Sequence, residues 1–220
     1  MFLDTVNINE INKQMKLGIL KGVTSNPTLL FKEKRERFTQ IKEMLSTQAP
    51  LVFVQVVGET VEEATKDYQK IMSISTDKKI GIKVSLNSIG LMFIKEVKQE
   101  NPEQILLGTA VYSADQGILG ALAGCDYVAP YVNRMSNNNI DPFQSIHQIR
   151  MFIDDRNLET KIMGASFKNT NQVLKALMAG AHTATIPTDI LEQMINKELA
   201  VDAIKTFNHH HYELQNNNVS

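Results

Sequence analysis

The chain has a single cysteine, Cys125, and so little from which a covalent or metal-bound scaffold could be built. One thiol excludes an intramolecular disulfide and leaves no Cys-rich zinc site, a pattern expected of a reducing cytoplasm. An excess of either charge is also missing, since 23 basic residues against 24 acidic ones give a formal net charge of -1. That balance provides no electrostatic footprint for nucleic acid or an anionic membrane surface. No apolar run approaches the roughly 20 residues that span a bilayer. Met1 to Thr5 lack the basic and apolar regions of a signal peptide, so a soluble, cytoplasmic protein is expected. No GxGxxG or P-loop is present and no His, Asp or Glu cluster has ligand spacing, so neither cofactor nor metal is expected. The run His209-His210-His211 lies near the polar end and reads as an adventitious chelator. Pro/Gly/Ser-rich linkers are absent as well, so residues 1–220 read as a single domain.

What is present is alternation. Short β-rich runs are expected at Phe2–Asp4, Gly22–Thr24, Leu51–Val57, Ile80–Val84, Ile105–Ala110, Tyr127–Tyr131, Lys161–Ala165 and Thr183–Ile186. Between them, apolar residues recur at helical spacing in Ile8–Leu17, Phe38–Leu45, Val61–Met72, Gly90–Lys98, Ala114–Ala123, Phe143–Asp154, Asn171–Met178 and Ile190–Ile195. Ser88 is the expected cap of the fourth of these helices, and Pro187 a start signal for the last. Eight strand–helix units in this length point to an α/β fold, a compact (β/α)8 TIM barrel, with a doubly wound open sheet as the alternative. Ser136–Asn139 reads as a surface loop, Leu199–Leu214 as an additional C-terminal helix, and Gln215–Ser220 as a mobile polar tail.

Lys83 stands in the β-branched run Ile80-Gly81-Ile82-Lys83-Val84, bounded by Asp77-Lys78-Lys79 and Asn87-Ser88. A buried lysine loses the hydration that stabilises its cation, and the neutral amine is a nucleophile toward carbonyls. The plain alternative is a lysine that snorkels to solvent from a strand end. In a barrel, the C-terminal strand ends converge on one mouth. There the chain offers Asp4, Thr24 and Asn26, Gln55, Lys83, Thr109, then Tyr131, Asn133 and Arg134, and Ser166. Singly, each has a structural explanation: Asp4 as a helix cap, Asn26-Pro27 as a turn, Thr109 as strand packing. Together they suit carbonyl chemistry, in which Lys83 forms an iminium and Tyr131 and Asp4 are candidates to move protons. A water between Gln55, Thr109 and Tyr131 is a candidate relay. Arg134 beside Ser166 suits a sugar phosphate, because a guanidinium fork matches phosphate oxygens.

These residues carry a resemblance. Phe2-Leu3-Asp4-Thr5, Gly22-Val23-Thr24-Ser25-Asn26-Pro27, Val54-Gln55-Val56, Ile82-Lys83-Val84, Leu107-Gly108-Thr109-Ala110-Val111-Tyr112, Tyr127-Val128-Ala129-Pro130-Tyr131-Val132-Asn133-Arg134 and Ala165-Ser166-Phe167-Lys168 resemble the transaldolase family, in its fructose-6-phosphate aldolase-like subgroup. The resemblance implies a class I aldolase on a (β/α)8 barrel with Lys83 as the Schiff-base lysine. It implies that Asp4 and Asn26 contact the dihydroxyacetone hydroxyls and that Arg134 and Ser166 contact the phosphate. Thr24, Asn133 and Ala129 fall within its matched motifs and are carried as substrate-binding candidates. Transaldolases typically carry glutamate at Gln55 and phenylalanine at Tyr131, so both residues here are of the aldolase type. The resemblance implies small-molecule sugar phosphates as partners and a homo-oligomer, a pentamer or decamer whose C-terminal helix crosses to a neighbour. A transaldolase, or a catalytically silent sugar-phosphate-binding protein, is the alternative. The family usually has Pro-Val-Thr where this chain has Ser85-Leu86-Asn87, a change beside Lys83.

Overall fold

The computed structural model describes residues 1–74 and 79–217. Eight parallel strands close into a barrel in sequence order. They are β1 (Phe2–Asp4), β2 (Gly22–Thr24), β3 (Leu51–Gln55), β4 (Lys79–Ser85), β5 (Leu106–Val111), β6 (Tyr127–Pro130), β7 (Lys161–Gly164) and β8 (Thr183–Ile186). β8 pairs back onto β1, Phe2 opposite Thr185, so no edge remains. The helices are α1 (Ile8–Met15), α2 (Pro27–Lys32), α3 (Arg37–Leu45), α4 (Val61–Met72), α5 (Ser88–Glu100) and α6 (Ala114–Leu122). They continue as α7 (Val132–Asn137), α8 (Pro142–Asp155), α9 (Thr170–Met178), α10 (Thr188–Ile195) and α11 (Glu198–Asn217). No helix among the described residues is long and apolar enough to cross a membrane.

Both faces of the strands are buried, as an all-parallel sheet requires. The larger core lies between strands and helices, where Val23, Val52, Val54, Ile82 and Ile162 meet Ile41, Phe93, Ile149 and Val173. The smaller fills the barrel, with Phe2, Phe53, Leu107, Ala129, Met163 and Ala165 as its members. Phe2, Phe53 and Tyr127 pack edge-to-face there with centroids 5.6 to 6.0 Å apart. Gly81 makes this possible, because a Cβ at that position would lie 2.4 Å from the Phe53 ring. The ring therefore sits on the barrel-facing side of β4, two residues below Lys83, and forms an apolar floor for it.

The structure moves several expected boundaries. β3 stops at Gln55 rather than Val57, since the Val57 N–H turns away to donate to Asp67 Oδ2 at 3.0 Å. β6 stops at Pro130, and Tyr131 makes only an isolated bridge to Ala165 before leading into α7. Ser136 and Asn137, expected in a loop, are the last residues of α7. The cap of α5 is Asn87, whose side chain accepts from Gly90 N–H, and not Ser88. The last helix takes in Gln215–Asn217, expected in the polar tail. The remainder of that tail, and Asp77-Lys78 before β4, lie outside the described residues.

Candidate active site

Lys83 enters the barrel from β4 and is 4% exposed. Its Nζ donates to the Ser25 carbonyl at 2.9 Å. That carbonyl is held in place because Ser25 is tied twice to Phe53 O, through its N–H at 3.0 Å and its hydroxyl at 2.9 Å. One proton of the amine is thus engaged, which leaves a lone pair for an electrophile once the group is neutral. Burial pushes the Lys83 pKa below the usual lysine range, and the Asp4 carboxylate opposes this. Burial likewise pushes the Asp4 carboxyl up, against the pull of Lys83 and a hydrogen bond from Thr24. Both shifts favour the uncharged forms.

Across the mouth, Tyr131 Oη and Thr109 Oγ1 are 2.9 Å apart. Burial raises the Tyr131 pKa, so the phenol keeps its proton near neutrality and can donate it. Thr109 is placed by an irregularity in β5: Gly108 pairs with Val128 but Val111 with Pro130, so one extra residue is accommodated. The bulge puts Ala110 in the left-handed region at φ 58°. Ser166, just beyond β7, is also left-handed at φ 60°. A non-glycine residue in that region costs about 1–2 kcal/mol, and here two such residues flank one mouth.

The remaining candidates fall around this centre. Gln55 pairs with Lys83 in strand register, and its Nε2 lies 3.4 Å from Ser85 Oγ rather than on Thr109 or Tyr131. The end of β3 that carries it is clamped by Arg37, which donates to Gln55 O at 2.8 Å and forms a paired contact with Asp67. Asn26 caps α2 by accepting from Leu29 N–H at 3.0 Å. Asn133 and Arg134 lie on α7 and not on a strand. Asn133 N–H donates to Ser166 O at 2.8 Å, and Gln172 Nε2 donates to Asn133 Oδ1 at 3.0 Å. Exposed Arg134 lies 5.2 Å over the Tyr131 ring and donates to Tyr112 Oη at 3.1 Å. The residue is exposed, so an anion can reach it. Ala129 is in the apolar floor, and Thr24 is fully buried with its hydroxyl between Asp4 and Thr185. Outside the barrel, a pocket of about 220 Å³ lies between the ends of β3 and β4 and the starts of α4 and α5. It reaches Gln55, Ser85 and Asn87, so the altered turn after Lys83 forms one wall of it.

Four contributors had no signal strong enough to single them out. The Ser25 carbonyl is a backbone group, Ala110 a bulge, Tyr112 a mid-sequence aromatic, and Thr185 one β-branched residue among many. Among the described residues, no group of three His, Cys, Asp or Glu side chains could hold a metal ion.

The chain matches the family model described as transaldolase/fructose-6-phosphate aldolase over residues 1–219. The chain belongs to this family. A probable fructose-6-phosphate aldolase of Streptococcus pneumoniae is 39% identical over 218 residues, covering 97% of this chain and 96% of the relative. A probable transaldolase of Alkaliphilus metalliredigens is 33% identical, with 94% and 95% covered. Another, from a Thermoanaerobacter species, is 32% identical, with 94% of each covered. The protein is thus an enzyme of the transaldolase/fructose-6-phosphate aldolase family, and its relatives divide between two activities.

Proposed function

We propose that this enzyme is a class I aldolase that reversibly cleaves fructose 6-phosphate, or a similar ketose, to dihydroxyacetone and glyceraldehyde 3-phosphate. The observation that carries this reading is the Lys83 amine, buried over an apolar floor, held by one carbonyl and shifted toward its neutral form. The neutral amine adds to the ketose C2 carbonyl, and loss of water gives an iminium. A base, assigned to Asp4, takes the proton of the C4 hydroxyl. The C3–C4 bond breaks, the aldehyde leaves, and its bonding electrons pass to the iminium to give an enamine. Protonation at C3 and addition of water then release dihydroxyacetone and the free amine.

Tyr131 favours cleavage over transfer. Its hydroxyl, on Thr109, can hold and polarise the water that protonates the enamine, with Gln55 as a third partner. Asn26 and Thr24 serve the dihydroxyacetone end, Asn26 by its amide nitrogen and Thr24 through Asp4. Arg134, Ser166 and Asn133 serve the phosphate, and Ala129 shapes the floor beneath. The transaldolase reading, transfer of a dihydroxyacetone unit between sugar phosphates, is favoured by the names of two relatives. A coupled assay of dihydroxyacetone release separates the two. The aldolase reading predicts release from fructose 6-phosphate with no acceptor added; turnover only with erythrose 4-phosphate present would overturn it.

The same reading extends to assembly. α11 carries Leu199, Phe207, Tyr212 and Leu214 at 64% exposure or more, an apolar surface with no cover in one chain. A homopentamer, or a decamer of paired rings, in which α11 packs on a neighbour would cover it. The setting proposed for the whole is the cytoplasm.

A further inference from the structure

Behind Asp4 lies a chain of hydroxyls that ends on a residue outside the set above. Thr24 Oγ1 donates to Asp4 Oδ1 at 2.9 Å, and Thr185 Oγ1, from β8, lies 2.6 Å from Thr24 Oγ1. Both threonines are buried, 0% and 3% exposed. A hydroxyl has one proton to give. With the proton of Thr24 directed at Asp4, the contact between the threonines is a hydrogen bond only if Thr185 donates.

The closed end of the chain sets its direction. Among the described residues Thr185 Oγ1 has no second partner, and the buried hydroxyl of Thr183, two residues earlier on the same strand, is itself unpaired. The reversed chain, with Asp4 protonated and donating to Thr24 and Thr24 donating to Thr185, leaves the Thr185 proton aimed at nothing. Leaving a buried donor unmet is unfavourable, so the order Thr185 to Thr24 to Asp4 wins. Two hydroxyls in series also polarise one another toward the carboxylate they serve.

We propose that Thr185 is a positioning residue which, through Thr24, orients Asp4 and holds it as a carboxylate, ready to act as the base. Asp4 has need of such support. The groups that act on it electrostatically are the Lys83 amine from β4 and the Tyr131 phenol at the start of α7. Of the adjacent strands, β2 contributes Thr24, paired with Asp4, and β8 contributes Thr185, paired with Phe2 two residues before Asp4; neither brings a charge. On α1, Glu10 is taken up by the hydroxyls of Thr5 and Thr188. When Lys83 becomes neutral to attack a carbonyl, its pull on Asp4 vanishes, and the hydroxyl chain is what remains.

This inference rests on the assignment of Asp4 as base, so its test reads Asp4 directly as well as through turnover. The carboxyl carbon of Asp4, identified by its absence from Asp4→Asn, is titrated by NMR in the wild type and in Thr185→Val, which removes the hydroxyl at nearly constant shape. The midpoint should rise by about half to one pH unit, the worth of one neutral hydrogen bond. Plateau KM should stay constant, and Thr185→Ser should restore the midpoint. In an Asp4→Asn background, Thr185→Val should change nothing further in kcat. An unmoved midpoint, or an equal loss of kcat with and without Asp4, overturns the proposal. If Thr185→Val does not fold, Thr185→Cys, a weak donor, should give an intermediate shift, and an unmoved midpoint there is equally fatal. A shifted Asp4 midpoint without any lysine adduct would leave the Thr185 role standing and remove only the aldolase reading.

Discussion

Tyr131→Phe isolates the group that distinguishes release from transfer. The substitution keeps the ring, and with it the contact to Tyr112 at a 5.5 Å centroid distance and to Arg134 at 5.2 Å. What it removes is one hydroxyl, 2.9 Å from Thr109 Oγ1. Thr109 is fully buried and among the described residues has no other side-chain hydrogen bond, so it is left unmet at about 1 kcal/mol or slightly more. In a chain of this size that lowers the melting temperature by about 2–4 °C, and the variant should fold. The catalytic effect should be much larger. A positioned proton donor is worth about 10²–10⁴-fold, or roughly 3–5 kcal/mol of barrier. Release of dihydroxyacetone from fructose 6-phosphate should fall by that factor. Transfer of the unit to erythrose 4-phosphate, which needs no proton on the enamine carbon, should be retained or rise. The assay is a pair of initial rates, with and without acceptor, beside a thermal melt. Equal losses in both rates, or a loss accompanied by a melt lowered by far more than a few degrees, would refute the assignment of the hydroxyl to enamine protonation.

Burial lowers the Lys83 pKa, so the neutral amine should be available well below the ordinary lysine range. In a pH series kcat/KM should fall as pH drops through the folded value, and an inflection at the pKa of an exposed lysine would contradict the burial argument. The sign for stability is set by the same shift. Between the folded and unfolded pKa the unfolded chain binds more protons, so stability should rise with pH there, and Lys83→Met should flatten that slope in denaturant melts. Gly90→Ala should be severely destabilising, because its Cβ would lie 1.9 Å from the Ser85 carbonyl at the turn after Lys83; a melt within 2–3 °C of wild type would show that the turn yields easily. Asn26→Ala removes the cap of α2, which should lower stability by about 1 kcal/mol in urea titration and raise the KM for ketose several-fold, whereas Asn26→Asp should keep the cap and lose only the affinity.

The barrel was legible because its strands are continuous β-branched runs separated by amphipathic helices, a pattern that only a sheet covered on both faces explains. The helices that went unread, α2 and α7, are six residues each, too short to show a period. Both begin at residues better known for turns or strands, Pro27 and Val132. The site was legible as a set of polar ends on apolar strands. Its connections were not. Tyr131 was expected in a strand, yet Asn133 and Arg134 owe their positions to a helix that starts there. The bulge at Ala110, which sets Thr109 against Tyr131, depends on pairing across two strands. The carbonyl of Ser25 that receives Lys83 is present in every residue type. Thr185 had the composition of strand packing, and only the closure of β8 onto β1 reveals it as the end of a chain leading to Asp4.

The central claim is that Lys83 forms the iminium, and borohydride trapping tests it most directly. The enzyme is incubated with dihydroxyacetone, reduced, digested and mapped by mass spectrometry. A single adduct carrying the reduced dihydroxyacetone unit should appear on Lys83 and vanish in Lys83→Met. An adduct on any other lysine, or none at all, would contradict the account.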